Sequence, residues 1–192
     1  IKFLDAELSR SSDIRSRFAQ EATAAARIKS PHVVSILDFG FSEGGRGFIV
    51  MERLCGEDLG QHLARTYTLS PDELAPIIAQ ACRGLGKAHA LGIIHRDIKP
   101  ENLFLNEEEE GIVIKLLDFG IAKHVDATPS HRTDTGQLLG TPLYMSPEQV
   151  EGGILDSRSD LFSVGSILYE MATGKHPFSG ANPAETLENI LR

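Results

Sequence analysis

An α+β fold, with a small β-containing lobe followed by a larger, mainly helical one, is what this sequence predicts. Three observations carry that expectation. The composition is that of an ordinary globular chain: 192 residues, 41% hydrophobic, 24% charged, with 18 Gly and 9 Pro. The pattern drifts from strand-rich to helix-rich near residue 55. A long irregular stretch from Asp118 to Gln149, rich in Gly, Thr, Ser, Asp and Pro, interrupts the regular elements, and segments of that kind are usually kept for function.

Taken in order, Ile1-Lys2-Phe3-Leu4 is a short apolar strand. Residues 13 to 29 read as an amphipathic helix capped by Ser12, with Ile14, Phe18, Ala25 and Ile28 on one stripe and Pro31 beyond its end. Glu21 falls within that stripe, where a carboxylate needs a partner. Val33 to Phe39 and Gly47 to Glu52 form a hairpin around Ser42-Glu43-Gly44-Gly45-Arg46. Ser70-Pro71-Asp72-Glu73 is a capping box that opens a helix running through Ile77, Ala81, Leu85 and Ala88. Leu103 to Leu105 and Ile112 to Leu117 are strands flanking a solvated acidic turn, Asn106 to Gly111. Residues 159 to 173 are apolar nearly all round and predict a buried helix closed by Gly174.

The charge balance excludes one class of partner. With 27 acidic and 19 basic residues the formal net charge is −8, which repels a phosphate backbone and argues against nucleic acid. Cys55 and Cys82 stand far apart without ligand spacing, which fits a reducing, cytoplasmic compartment and no zinc site. No apolar run reaches the roughly 18 residues of a membrane span. The abrupt start at Ile1 and the stop inside the helical pattern Leu187 to Arg192 predict a longer parent chain, in which a membrane anchor could lie outside this window.

The chemistry is concentrated in His95-Arg96-Asp97-Ile98-Lys99-Pro100-Glu101-Asn102, which follows the apolar Ile93-Ile94. Sixteen residues on (118 − 102), Asp118-Phe119-Gly120 places an acid at the end of a strand. Phosphoryl transfer needs a base to take the proton of an attacking hydroxyl, and oxygen ligands for Mg²⁺ on the phosphates. Asp97 suits the first role, and Asn102 with Asp118 the second. Any one of these residues alone would be an ordinary charged turn residue. As a set, they resemble the signatures of the protein kinase family.

The resemblance extends over nearly the whole chain and implies a two-lobed kinase-like fold. Residues 1–54 would form a partial N-lobe with hinge, and 55–192 a partial C-lobe without its terminal helices. It implies ATP and Mg²⁺ as cofactors. Lys2 resembles the strand lysine on the α- and β-phosphates, and Glu21 the helix glutamate paired with it, 19 residues on (21 − 2). Phe48 to Leu54 resembles the strand and hinge that present backbone groups to adenine, with Met51 in the gatekeeper place followed by Glu52 and Leu54. Asp58 would reach the ribose, and Phe104 would floor the adenine. Lys99 resembles the lysine that steadies the transferred phosphate in Ser/Thr kinases. Ser146-Pro147-Glu148 resembles the Ala-Pro-Glu signature, with Gly140-Thr141-Pro142 ahead of it where the acceptor segment docks. Asp160 and Gly165 fall where a buried helix ties down the catalytic loop. Arg96 implies switching by phosphorylation, with Thr133 and Thr135 as candidate sites. The wording is most like the bacterial eukaryotic-like Ser/Thr kinases, which implies protein substrates with Ser/Thr acceptors and self-association for autophosphorylation.

The pattern departs from the family in the absence of any G-x-G-x-x-G loop, which in the family precedes the strand lysine. Two other readings stay open. A pseudokinase or scaffold commonly loses residues equivalent to Asp97, Asn102 or Asp118, and this chain keeps all of them. A small-molecule phosphotransferase of related fold should lack the long segment ending in Ser146-Pro147-Glu148.

Overall fold

The computed structural model describes residues 1–4, 11–119 and 142–192. The first sheet has strand order β1-β3-β2, from β1 (Lys2–Phe3), β2 (Ile36–Phe41) and β3 (Gly47–Met51), all antiparallel. Its hairpin closes as expected over Ser42 to Arg46, where Ser42 N–H reaches the Arg46 carbonyl at 2.9 Å and Gly45 takes a φ of 76°. The strand β2 begins at Ile36, later than its apolar run, because Val33 and Val34 are drawn to Leu116 instead.

The first helix, α1 (Ser12–Ala26), packs on this sheet through Phe18, Ala22 and Ala25, and the Phe18 ring meets Phe41 edge-on at 5.7 Å. It is shorter than its apolar stripe. Ser11 rather than Ser12 occupies the cap position, and the helix stops at Ala26, while Ile28 beyond it is buried in the core all the same.

After the connection Glu52 to Cys55 comes the second sheet, β4-β5-β6, from β4 (Gly56–Asp58), β5 (Leu103–Glu108) and β6 (Gly111–Leu116). Gly56 has a φ of 123°, and a Cβ there would stand 2.1 Å from the Leu105 carbonyl oxygen, so the approach of β4 to β5 requires glycine. The acidic tract is more ordered than a solvated turn. Its strands continue to Glu108 and resume at Gly111, leaving Glu109 and Glu110 as the turn, because cross-strand pairing extends through Glu108 and Gly111.

Helix α2 (Leu59–Thr66) has no counterpart in the sequence reading. It buries only Leu59 and Leu63, and its N-terminus is capped by Asp58, whose Oδ1 accepts the Gln61 N–H at 2.9 Å. Helix α3 (Pro71–His89) starts at the expected capping box, with Glu73 Oε2 accepting the Ser70 N–H at 2.8 Å. Gly84 lets α3 approach closely: a Cβ there would lie 2.7 Å from the His32 carbonyl oxygen and 2.8 Å from Leu116 Cδ1. Helices α4 (Pro147–Glu151), α5 (Ser157–Thr173) and α6 (Pro183–Leu191) complete the chain. One core joins the elements, with Leu85 of α3, Ile114 and Leu116 of β6 and Ile167 and Met171 of α5 almost fully enclosed.

The helix α5 ends at Gly174 in left-handed conformation, φ 67°, as expected. It is not apolar all round in its burial. Ser159, Asp160, Ser163 and Ser166 face inward while Leu161 and Tyr169 are about half exposed. The small hydroxyls are accommodated inside because each finds an acceptor, Ser163 Oγ donating to the Tyr144 carbonyl at 2.6 Å and Ser166 Oγ to Phe162 at 3.2 Å. Among the described residues no helix is long and apolar enough to cross a membrane.

Candidate active site

The loop from His95 to Lys99 lies between α3 and a short 3₁₀ turn, Pro100–Asn102, which leads directly into β5. Three groups fix it from below. Asp160, 1% exposed on α5, accepts the His95 N–H at 2.9 Å, the Arg96 N–H at 2.8 Å and His89 Nε2 at 2.7 Å. Since the carboxylate can only accept, His89 must carry its proton on Nε2. Arg96 is thereby held at a φ of 66°, a conformation uncommon for a non-glycine residue.

His95 is completely buried, and its ring lies 4.6 Å from that of Phe119. Its Nε2 meets the Leu117 carbonyl at 2.7 Å and its Nδ1 meets the Asp97 N–H at 3.3 Å. Burial pushes the imidazole pKa below its usual value, despite the nearby carboxylate of Asp160. The neutral ring therefore donates from Nε2 and accepts at Nδ1, clipping the loop to the end of β6. A further clip comes from α4, where Gln149 Nε2 donates to the Arg96 carbonyl at 2.8 Å.

Asp97 and Asn102 meet through the amide of Asn102, whose Nδ2 donates to the Asp97 carbonyl at 2.7 Å and to its carboxylate at 3.3 Å. Lys99 Nζ lies 3.6 Å from the same carboxylate. With its nitrogen turned toward Asp97, the Asn102 amide has its oxygen as the end that could meet a cation. Asp118 is brought alongside by backbone pairing: Leu103 stands opposite Leu116, and the Leu117 N–H reaches the Asn102 carbonyl at 2.9 Å. Asp118 has a φ of 53°, a second strained non-glycine position at the site.

Lys2 also reaches the site, and its partner corrects an expectation. Its Nζ lies 2.5 Å from Asp118 Oδ2, and among the described residues no ion pair links it to Glu21. Both partners are partly exposed, at 47% and 36%, so solvent screens the pair. Glu21 is instead partly buried, with Oε2 lacking a hydrogen-bond partner. Burial pushes its carboxyl upward, against the opposing pull of Arg96 and then Arg17.

The protein kinase domain family model matches residues 1–192. This chain belongs to the protein kinase domain family. It is 47% identical over 166 residues to serine/threonine-protein kinase pkn3 of Myxococcus xanthus, covering 85% of this chain and 30% of that protein. It is 39% identical over 195 residues to serine/threonine-protein kinase PknB of Mycolicibacterium smegmatis, covering 100% of this chain and 31% of that protein. The probable serine/threonine-protein kinase CE0033 of Corynebacterium efficiens is 38% identical over 186 residues, covering 95% of this chain and 28% of that protein. The kinase domain segment thus spans less than a third of the length of these curated relatives.

The remaining candidates lie on β3, on the connection after it, and on β4 and β5, or fall outside the described residues. Met51 ends β3, partly buried against the core, and Leu54 is half-buried in the connection that follows. Phe104 lies on β5 opposite both Asp58 of β4 and Lys115 of β6. Asp58 caps α2, a structural duty absent from the sequence reading. Glu52 faces Ser35 and Lys115. Gly120, Thr133, Thr135, Gly140 and Thr141 lie outside the described residues. Sequence reasoning missed His95 and Gln149 as supports. The signal for His95 was its place after Ile93-Ile94 at the loop entrance; for Gln149 it was the capping position three residues after Ser146.

Proposed function

We propose that this kinase domain belongs to an ATP-dependent Ser/Thr protein kinase that moves the γ-phosphate of Mg-ATP to Ser or Thr hydroxyls of proteins. The observation that carries the reading is the convergence of Asp97, Lys99, Asn102 and Asp118 from two chain segments, fastened by Asp160 and His95. In the reaction the acceptor oxygen bonds to the γ-phosphorus, the bond to the bridging oxygen breaks, and ADP leaves. The hydroxyl proton passes to the Asp97 carboxylate, while Lys99 beside it offers positive charge to the phosphate in transfer.

Asn102 and Asp118 are hard oxygen donors of the kind Mg²⁺ takes, and a pair suffices for an ion that keeps waters and phosphate oxygens as its other ligands. When bound, Mg²⁺ supplies charge neutralisation on the phosphates. On this reading Lys2, which pairs with Asp118, takes the α- and β-phosphates, and the connection through Met51, Glu52 and Leu54 takes adenine, with Phe104 as its floor and Asp58 toward the ribose. The names of the relatives support Ser/Thr acceptors in proteins as substrates.

The test is Asp118→Asn in the full-length protein. Loss of a ligand charge should remove most of the Mg²⁺-dependent gain in ATP affinity, at least about tenfold, with little change in metal-free nucleotide binding. An unchanged Mg²⁺ dependence would move the metal role elsewhere. On the same reading Thr133 and Thr135 take phosphate, each adding roughly −1.5 to −2 charges for Arg96 to pair. Mass spectrometry of active protein should find phosphate within residues 133–135, and activity should fall in the double Ala variant. An unmodified segment in active protein overturns this part.

A further inference from the structure

Lys115 is an anomaly in its strand. It lies on β6 in the run Ile112 to Leu117, its side chain is 9% exposed, and Lys is almost never enclosed to that degree without a partner. Its Nζ donates to both carboxylate oxygens of Glu52, at 3.1 and 3.2 Å. Glu52 in turn accepts the Ser35 N–H at 2.7 Å and gives its own N–H to the Ser35 carbonyl at 3.0 Å. Burial raises the Glu52 pKa, but the Ser35 N–H and Lys115 outweigh it and hold the carboxyl below its usual range. The segment before Ser35 is itself sewn to β6, with the Leu116 N–H on the His32 carbonyl at 2.9 Å and the Val34 N–H on the Leu116 carbonyl at 3.0 Å.

Three elements therefore meet at one charge pair: the lead-in to β2, the connection at Glu52, and the strand β6, which leads by way of Leu117 to Asp118. On the proposed reading, that connection receives the base and Asp118 the metal end of the nucleotide. We infer that Lys115, through Glu52, is a positioning residue that fixes the spacing between the base site and the phosphate site. On that reading Lys115 acts only through Glu52, its ion-pair partner. It sets the distance over which one bipartite ligand must fit, and a ligand that engages both ends is far more sensitive to that distance than one that engages only the base.

The inference rests on the proposed function, and the experiment separates the two. Mg-ATP and adenosine are titrated into the full-length protein as wild type, Lys115→Met and Lys115→Arg. The Met variant, which keeps the chain length and loses the charge, should weaken Mg-ATP by about tenfold and adenosine by less than about twofold. The Arg variant, which restores a cation to Glu52, should recover most of the Mg-ATP affinity. Equal losses for both ligands, or no loss for either, overturn the spacing role and leave the kinase reading intact. Wild-type protein that fails to bind Mg-ATP overturns the kinase reading, and this inference with it.

Discussion

Asp97→Asn is expected to lower peptide phosphorylation by about 10²- to 10⁴-fold while nucleotide affinity changes by less than about threefold. The substitution keeps the shape of the side chain and removes only its charge and basicity. The loop should keep its course, because its fastenings lie elsewhere: the Asn102 amide holds the Asp97 carbonyl at 2.7 Å, and the Asp97 N–H meets His95 Nδ1. What disappears is the acceptor for the hydroxyl proton and the negative partner of Lys99 at 3.6 Å. The loss should therefore fall on kcat, with KM for ATP nearly constant. The measurement is steady-state kinetics of both forms on one peptide, with ATP affinity taken separately by calorimetry. A variant with full kcat would remove Asp97 from the proton's path. A variant that also lost ATP binding would show that the carboxylate holds nucleotide rather than the acceptor hydroxyl.

The parts of this site that could be read from sequence are those whose neighbours in space are also neighbours in the chain. Asp97, Lys99 and Asn102 occupy one loop, and Asp118 is returned to them by a simple strand pair whose two apolar runs are visible. Contacts between distant segments were less legible. Lys2 and Asp118 are separated by 116 positions, and the expectation of Glu21 as partner rests on its place in an apolar stripe and on the family's spacing. Nothing local distinguishes the two acids, because the choice depends on where β1 pairs in the sheet. Lys115 was hidden inside an apolar run, where one cation looks like an outward-facing position until Glu52 is seen across from it. Helix α5 shows the opposite failure. Its apolar content suggested burial on every side, whereas hydrogen bonding brings Ser163 and Asp160 inward and leaves Leu161 and Tyr169 half exposed. Helix α2 escaped notice because two buried leucines in eight residues give almost no periodic signal.

The largest effect on stability should come from Asp160→Ala. This residue is 1% exposed, and its carboxylate is the acceptor for three donors from two other segments: the backbone N–H groups of His95 and Arg96, and the ring of His89. Alanine would leave all three without an acceptor, in a space too enclosed for water to replace the carboxylate freely. Leaving one buried donor unpaired costs about 1–3 kcal/mol, and the three share one acceptor, so their costs are not independent. The expected loss is about 3–5 kcal/mol, a large part of the stability of any single domain. Asp160→Asn provides the graded comparison. Its single oxygen can still accept from one or two of the donors while its amide nitrogen opposes the third, so it should lose about 1–3 kcal/mol. Chemical denaturation of the three forms should therefore rank wild type above Asn and Asn above Ala. Arg96 makes a local effect visible as well, since its φ of 66° goes with an N–H tied to Asp160. In the Asn variant, which keeps enough stability to fold, loss of that tie should let residues 95–97 relax and lower kcat more than the ATP affinity. An alanine variant within about 0.5 kcal/mol of wild type would mean that the loop is held by His95 and Gln149 without help from α5.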